Sequence, residues 1–158
     1  HLRPRRQRQM CIRDSNRAIE FFEKALSTDL QTFGHAHPYV ATRNNNLGLA
    51  WQAKGEYEKA IEYYELALKS DLKTFGEDHP KVANRRNNLG SVWKAKGEFD
   101  KAIVLYEQAL ESGLKTFGKD HPKVAIRHNN LGSAWKAKGE YDKAIDYYQK
   151  AHKTLLGH

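Results

Sequence analysis

His-Pro recurs three times at a spacing of 42 residues, as His37-Pro38, His79-Pro80 and His121-Pro122, and each pair heads a near-copy of the same block. The block reads Asn-Asn-Leu-Gly, then Trp, Lys-Gly, an aromatic residue and Lys-Ala-Ile, and closes on Thr-Phe-Gly before the next His-Pro; the last copy stops short of its Thr-Phe-Gly. A fixed period of this size marks a stacked repeat array. One repeat alone cannot bury its apolar faces, so neighbours must stack, and the product is an extended surface.

Inside each block the punctuation is helical. Pro38, Pro80 and Pro122 suit a first helical position, where the missing N–H would go unsatisfied anyway. The first helix then runs about 17 residues, roughly 25 Å. Gly55, Gly97 and Gly139 end it, with Lys54, Lys96 and Lys138 at the negative end of the dipole. The second helix begins at Tyr57, Phe99 and Tyr141, with Glu58, Asp100 and Asp142 in its positive first turn. Its first two copies run to Phe75 and Phe117, ahead of Gly76 and Gly118. Upstream, Asn16 to Phe33 reads as an orphan second helix. The expected organisation is a basic, disordered leader or non-native tail over 1–15, a half-repeat over 16–34, and repeats over 35–76, 77–118 and 119–158. That makes seven helices and no strands. Val40, Leu47 and Trp51 share one face of the first helix, and Ala60, Tyr64 and Ala67 form the facing stripe of the second. Gly48 and Ala60, small in every copy, let the two backbones approach closely.

Composition narrows the function classes. The net charge is +8, but the first 13 residues hold five arginines and no acid, which leaves 22 basic against 19 acidic residues in the remainder, a net +3. The basic character is mostly a property of the tail. No stretch of 18 apolar residues could span a membrane. The lone Cys11 rules out a disulfide framework or a cysteine-based metal site and fits a reducing, cytoplasmic compartment.

Leu47-Gly48, Trp51, Gly55-Glu56-Tyr57, Ala60, Tyr64 and Ala67-Leu68, with their equivalents 42 and 84 residues on, resemble the tetratricopeptide repeat. The usual period of that family is about 34; the extra eight residues fall in the longer second helix and the His-Pro loop. The 42-residue form resembles the repeats of kinesin light chain and related bacterial proteins. HEAT and armadillo repeats have similar periods but do not suit the Leu-Gly, aromatic and Ala positions. The resemblance implies an all-α, right-handed superhelical solenoid of about seven antiparallel helices. One position departs from the family: Asn44, Arg86 and His128 stand where a bulky apolar residue is usual, which alters the local packing or makes the inner surface more polar.

The resemblance also implies that the first helices line a concave groove for an extended peptide. By motif position the groove residues are Thr42, Asn45, Asn46, Leu49, Gln52 and Ala53, then Asn84, Asn87, Asn88, Ser91, Lys94 and Ala95, then Ile126, Asn129, Asn130, Ser133, Lys136 and Ala137. The paired asparagines carry the most information. A carboxamide offers donors and an acceptor together, so Asn46, Asn88 and Asn130 could form a ladder that reads peptide backbone. The alternative is that they cap or bridge helices, since Asn is a mediocre helix former. Lys94 and Lys136, with Arg86 nearby, would favour an acidic ligand. Arg43, Arg85 and Arg127 are expected to bridge to acids of the preceding repeat. His37, His79 and His121 stand on the order of 10 Å apart in stacked repeats, too far for one ion, and read as loop or cap residues. The tryptophans read as core.

No nucleophile–base pair, phosphate loop or paired carboxylate is present, so no enzyme activity, cofactor or metal is expected. The leading reading is a scaffold for a protein or peptide partner. The alternative is a self-stacking module that gives a homo-oligomer, or a fragment of a larger signalling protein. Nucleic-acid binding through the tail ranks third and would fall steeply with salt.

Overall fold

The computed structural model describes residues 5–156, and these form seven helices with no strand among them. They are α1 (Arg5–Phe33), α2 (Pro38–Ala53), α3 (Tyr57–Phe75), α4 (Pro80–Ala95), α5 (Phe99–Phe117), α6 (Pro122–Lys138) and α7 (Tyr141–Leu156). The chain divides into two compact units between Thr74 and Phe75.

Local chemistry sets the boundaries. The side chains of His37, His79 and His121 cap α2, α4 and α6, each Nδ1 accepting the N–H two residues on at 3.1–3.2 Å. Each imidazole also stacks on the last aromatic of the preceding helix, at 4.2 Å on Phe33, 4.2 Å on Phe75 and 4.5 Å on Phe117. Gly139 ends α6 with φ +91°, a conformation a Cβ would oppose. The first helix differs from expectation. It already includes Arg5, where Asn16 was expected to begin it, so part of the segment expected to be disordered is helical; residues 1–4 of that segment lie outside the described residues. The physical reason is plain: no Gly or Pro interrupts residues 5–33, and Arg, Gln and Met are good helix formers. Residues 5–14 are all exposed.

Close approach of helix pairs builds the core. A Cβ on Gly48 would stand 2.5 Å from the Tyr64 ring, one on Gly90 2.6 Å from Tyr106, and one on Gly132 2.8 Å from Tyr148. In the first unit, Ile19, Leu47 and Ala50 form a cluster with Phe22 and Leu26 packed on it. In the second, Ala102, Ile103, Tyr106, Leu131 and Ala134 do the same beneath Trp93 and Trp135.

The arginine expectation holds at one joint and fails at another. Arg43 Nε donates to Asp29 Oδ2 at 2.9 Å, tying α2 to α1. Arg127 is only 3% exposed, yet its Nε and Nη1 have no partner. The residue that stands where Asp29 stands, 84 positions on, is Gly113.

Candidate functional site

The candidate strips lie on α2 in the first unit and on α4 and α6 in the second. At 100° per residue, positions four and seven apart line one strip of a helix. On α2 that strip is Thr42, Asn46, Leu49 and Ala53, all partly or fully accessible, while Val40, Ala41, Leu47 and Gly48 on the other side are buried. The equivalents on α4 and α6 are accessible too, from Asn84 to Ala95 and from Ile126 to Ala137. Leu49 and Ile126 are exposed apolar residues on these strips.

The polar residues on and beside these strips are held unequally. Asn46, Asn88 and Asn130 are half-buried at the same place in their helices, and Asn88 also has a partner. Asn87 is half-buried with an unpartnered Oδ1, and Asn129 is exposed. Tyr64 donates its hydroxyl to Gln52 Oε1 at 2.8 Å, and Tyr106 pairs with Ser91. Burial pushes the Tyr106 hydroxyl up to about 12, against the smaller opposing effect of that hydrogen bond. Burial also raises Tyr64, so both phenols stay neutral and each braces its own strip from below. Lys94 Nζ donates to Ser133 Oγ at 2.6 Å. This bond runs from Lys94, beside the strip of α4, to Ser133 on the strip of α6, inside the second unit. Lys136 is exposed.

Two of the expected contacts are withdrawn from the face. Asn45 is 7% exposed and engaged by a neighbour, so it belongs to the packing. Arg86 is buried, with its guanidinium paired to the Glu77 carboxylate and bonded to the Glu77 carbonyl at 3.3 Å. It is consumed inside the fold and adds no free charge to the strip. The reason is its place at the family's apolar position, where a long side chain turns inward and needs a counterion.

The structure also shows a feature that the sequence reading missed. Each tryptophan is half-buried and carries two lysine ammonium groups over its ring: Lys54 and Lys59 on Trp51, Lys96 and Lys101 on Trp93, Lys138 and Lys143 on Trp135, with the closer ammonium 4.2 Å from the ring centre in every copy. The signal was present as lysines three and eight residues after each Trp. These cation–π contacts are worth about 0.5–1 kcal/mol each at exposed sites.

Comparison with known proteins follows the same lines. The tetratricopeptide repeat profile matches residues 11–72, 43–112 and 86–156. No curated protein matches the sequence. Among solved structures the chain is similar to BtubC (BKLC) from P. vanneervenii, with a TM-score of 0.85 and 29% identity over 91% of this chain; it spans 57% of the length of that protein. It is also similar to nearly identical TPR-like repeats of a kinesin light chain candidate from Podosopora anserina, at TM-score 0.79 and 25% identity, covering 93% of this chain and 69% of that one. The N-terminal domain of stress-induced protein-1 from C. elegans shares the fold at TM-score 0.60 and 20% identity, over 74% of this chain and 85% of that one. The fold is the all-α tetratricopeptide solenoid, a scaffold that in general binds proteins or peptides and performs no reaction. With the profile matching from residue 11 to residue 156, the chain belongs to the tetratricopeptide repeat family.

Proposed function

We propose that the accessible strips of α4 and α6 in the second unit, and that of α2 in the first, bind extended peptide segments of a partner protein, with Asn46, Asn88 and Asn130 as the backbone-reading rungs. The observation that carries this reading is the equal, half-buried placement of the three asparagines. In the second unit the Lys94–Ser133 bond links α4 to α6 beside these strips, which supports a peptide crossing both helices. A net ~0.5–1.5 kcal/mol per hydrogen bond gives three rungs a useful but modest affinity. Exposed Leu49 and Ile126 supply apolar contacts. Lys136 and Lys94 favour an acidic segment, less strongly than if Arg86 were free. The chain holds partners without catalysing a reaction, in a cytoplasmic setting where Cys11 stays reduced. Among the described residues no helix is long and apolar enough to cross a membrane.

The test is a peptide-display selection on the whole chain, counter-screened against a triple Asn46→Ala, Asn88→Ala, Asn130→Ala variant shown to be helical by circular dichroism. Enriched peptides that lose binding to the triple variant support the ladder. Enrichment indifferent to the triple change removes it.

A second reading has its own observation. Ile61 and Ile103 are 6% and 4% exposed, whereas Ile145 at the same repeat position is 52% exposed, beside exposed Tyr141. The free face of α7 thus presents what another repeat would cover, from a second copy or from further repeats. Light scattering should then give a mass that rises with concentration and falls back to one chain on Ile145→Glu; a single-chain mass at every concentration sinks self-stacking.

A further inference from the structure

The first unit contains a pocket of about 420 Å³ between α1, α2 and α3, within the ~300–1,000 Å³ usual for small-molecule sites. Its origin is the position where the repeats depart from their family. In the later repeats that position is filled: Arg86 turns inward onto Glu77, and the His128 ring lies 6.1 Å from that of Tyr147. Asn44 is the shortest of the three, and it lines the pocket together with Tyr63, the counterpart of Tyr147. Leu26, Leu30, Val40, Tyr63 and Leu66 make the walls apolar.

The polar part of the lining has one sign. Its charges are those of Lys69 and Lys73, and no carboxylate lines the pocket. Two neutral groups add donors. Asn44 is 7% exposed, and the Ser70 hydroxyl is buried with no partner among the described residues. An unpaired buried hydroxyl is costly until something accepts its proton. Apolar walls, two ammonium groups and a waiting hydroxyl together match an aliphatic chain with an anionic head.

We propose that this pocket binds a medium-chain carboxylate, its chain against Leu26, Leu30 and Tyr63 and its carboxylate held by Lys69, Lys73 and the Ser70 hydroxyl. Asn44 and Asn46 are two residues apart, about 200° around α2, so the pocket opens away from the peptide strip and stands independently of that reading.

The experiment is calorimetric titration of the whole chain with decanoate below its micelle threshold. One saturable site is expected, and octanoate should bind roughly 15-fold more weakly, at about fourfold per methylene lost. Asn44→Leu, which restores an apolar side chain to the position, should weaken decanoate at least tenfold while leaving the melting temperature equal or higher. Should Asn44→Leu fail the circular dichroism check, Asn44→Met puts the same question with a more adaptable side chain. Lys69→Glu with Lys73→Glu should weaken decanoate by a similar factor, and decyltrimethylammonium should not compete. Absence of saturable binding, unchanged affinity in a folded Asn44 variant, or equal binding of the cationic amphiphile would each overturn the proposal.

Discussion

The joint between α1 and α2 and the joint between α5 and α6 are built from the same repeat, yet they treat the same arginine oppositely. At the first, Arg43 meets Asp29 at 2.9 Å with both side chains partly in contact with solvent, 33% and 13% exposed. At the second, the acid has become Gly113 and Arg127 has folded into the vacated room. A Cβ at position 113 would stand 2.9 Å from its Nε and 3.0 Å from its Cδ. Burial lowers the pKa of that guanidinium, the mark of a charge without compensation. His128 beside it is buried with an unpartnered Nδ1, whereas the first joint has Asn44, which does not titrate. A repeat fold thus tolerates loss of an ion pair through neighbouring packing, but it carries a buried cation as the cost.

The largest expected effect tests what the two ends share. Gly48→Ala should destabilise by about 3 kcal/mol, because Tyr64 is fully buried and cannot retreat from the new methyl group. Gly132→Ala should cost about 1 kcal/mol, since the half-buried Tyr148 can yield. Denaturant melts of both variants check this, and equal losses would show that the last repeat is as tightly held as the first.

Next in size, Gly113→Asp should restore the missing partner and raise stability by about 1–2 kcal/mol, from the charge-assisted bond and from replacing a mid-helix glycine. Arg127 must shift by a few tenths of an ångström to admit the new Cβ. A double-mutant cycle with Arg127→Met measures the coupling; a gain that survives without Arg127 would belong to helix propensity alone.

The smallest effect is in pH. The buried His128 has its pKa lowered, by desolvation first and by Lys150 second, with Asp146 opposing. The unfolded chain therefore binds this proton more readily than the folded one, so stability should fall as pH drops below about 6.5 and level off under the folded-state value. His128→Gln should flatten that slope between pH 7 and 5 in urea melts. An unchanged slope would assign the acid sensitivity to other groups.

Much of the fold was legible in the sequence because it rests on local rules. Proline and histidine at a helix start, glycine at its end and small residues opposite tyrosines each act within a few residues, and the 42-residue period repeats the message. The strips on α2, on α4 and on α6 were each legible from position alone, but not which of their residues packing withdraws. Asn45 and Arg86 were lost to packing because burial depends on three helices at once. The start of α1 was misplaced because residues 5–14 form helix without any apolar pattern to announce it. The missing acid was written in the register of Asp29, Asp71 and Gly113, but its consequence depends on where Arg127 turns once the carboxylate is gone. The pocket at Asn44 is similarly a matter of volume left unfilled, which no linear pattern records.

One repeat position serves opposite roles at the two ends, and the stabilities of Arg43→Met and Arg127→Met, measured side by side in denaturant, test this most directly. Removing Arg43 strands the Asp29 carboxylate and should cost about 2–3 kcal/mol, while removing Arg127 relieves an unpaired buried charge and should be neutral or stabilising. Equal losses in the two variants would contradict the claim.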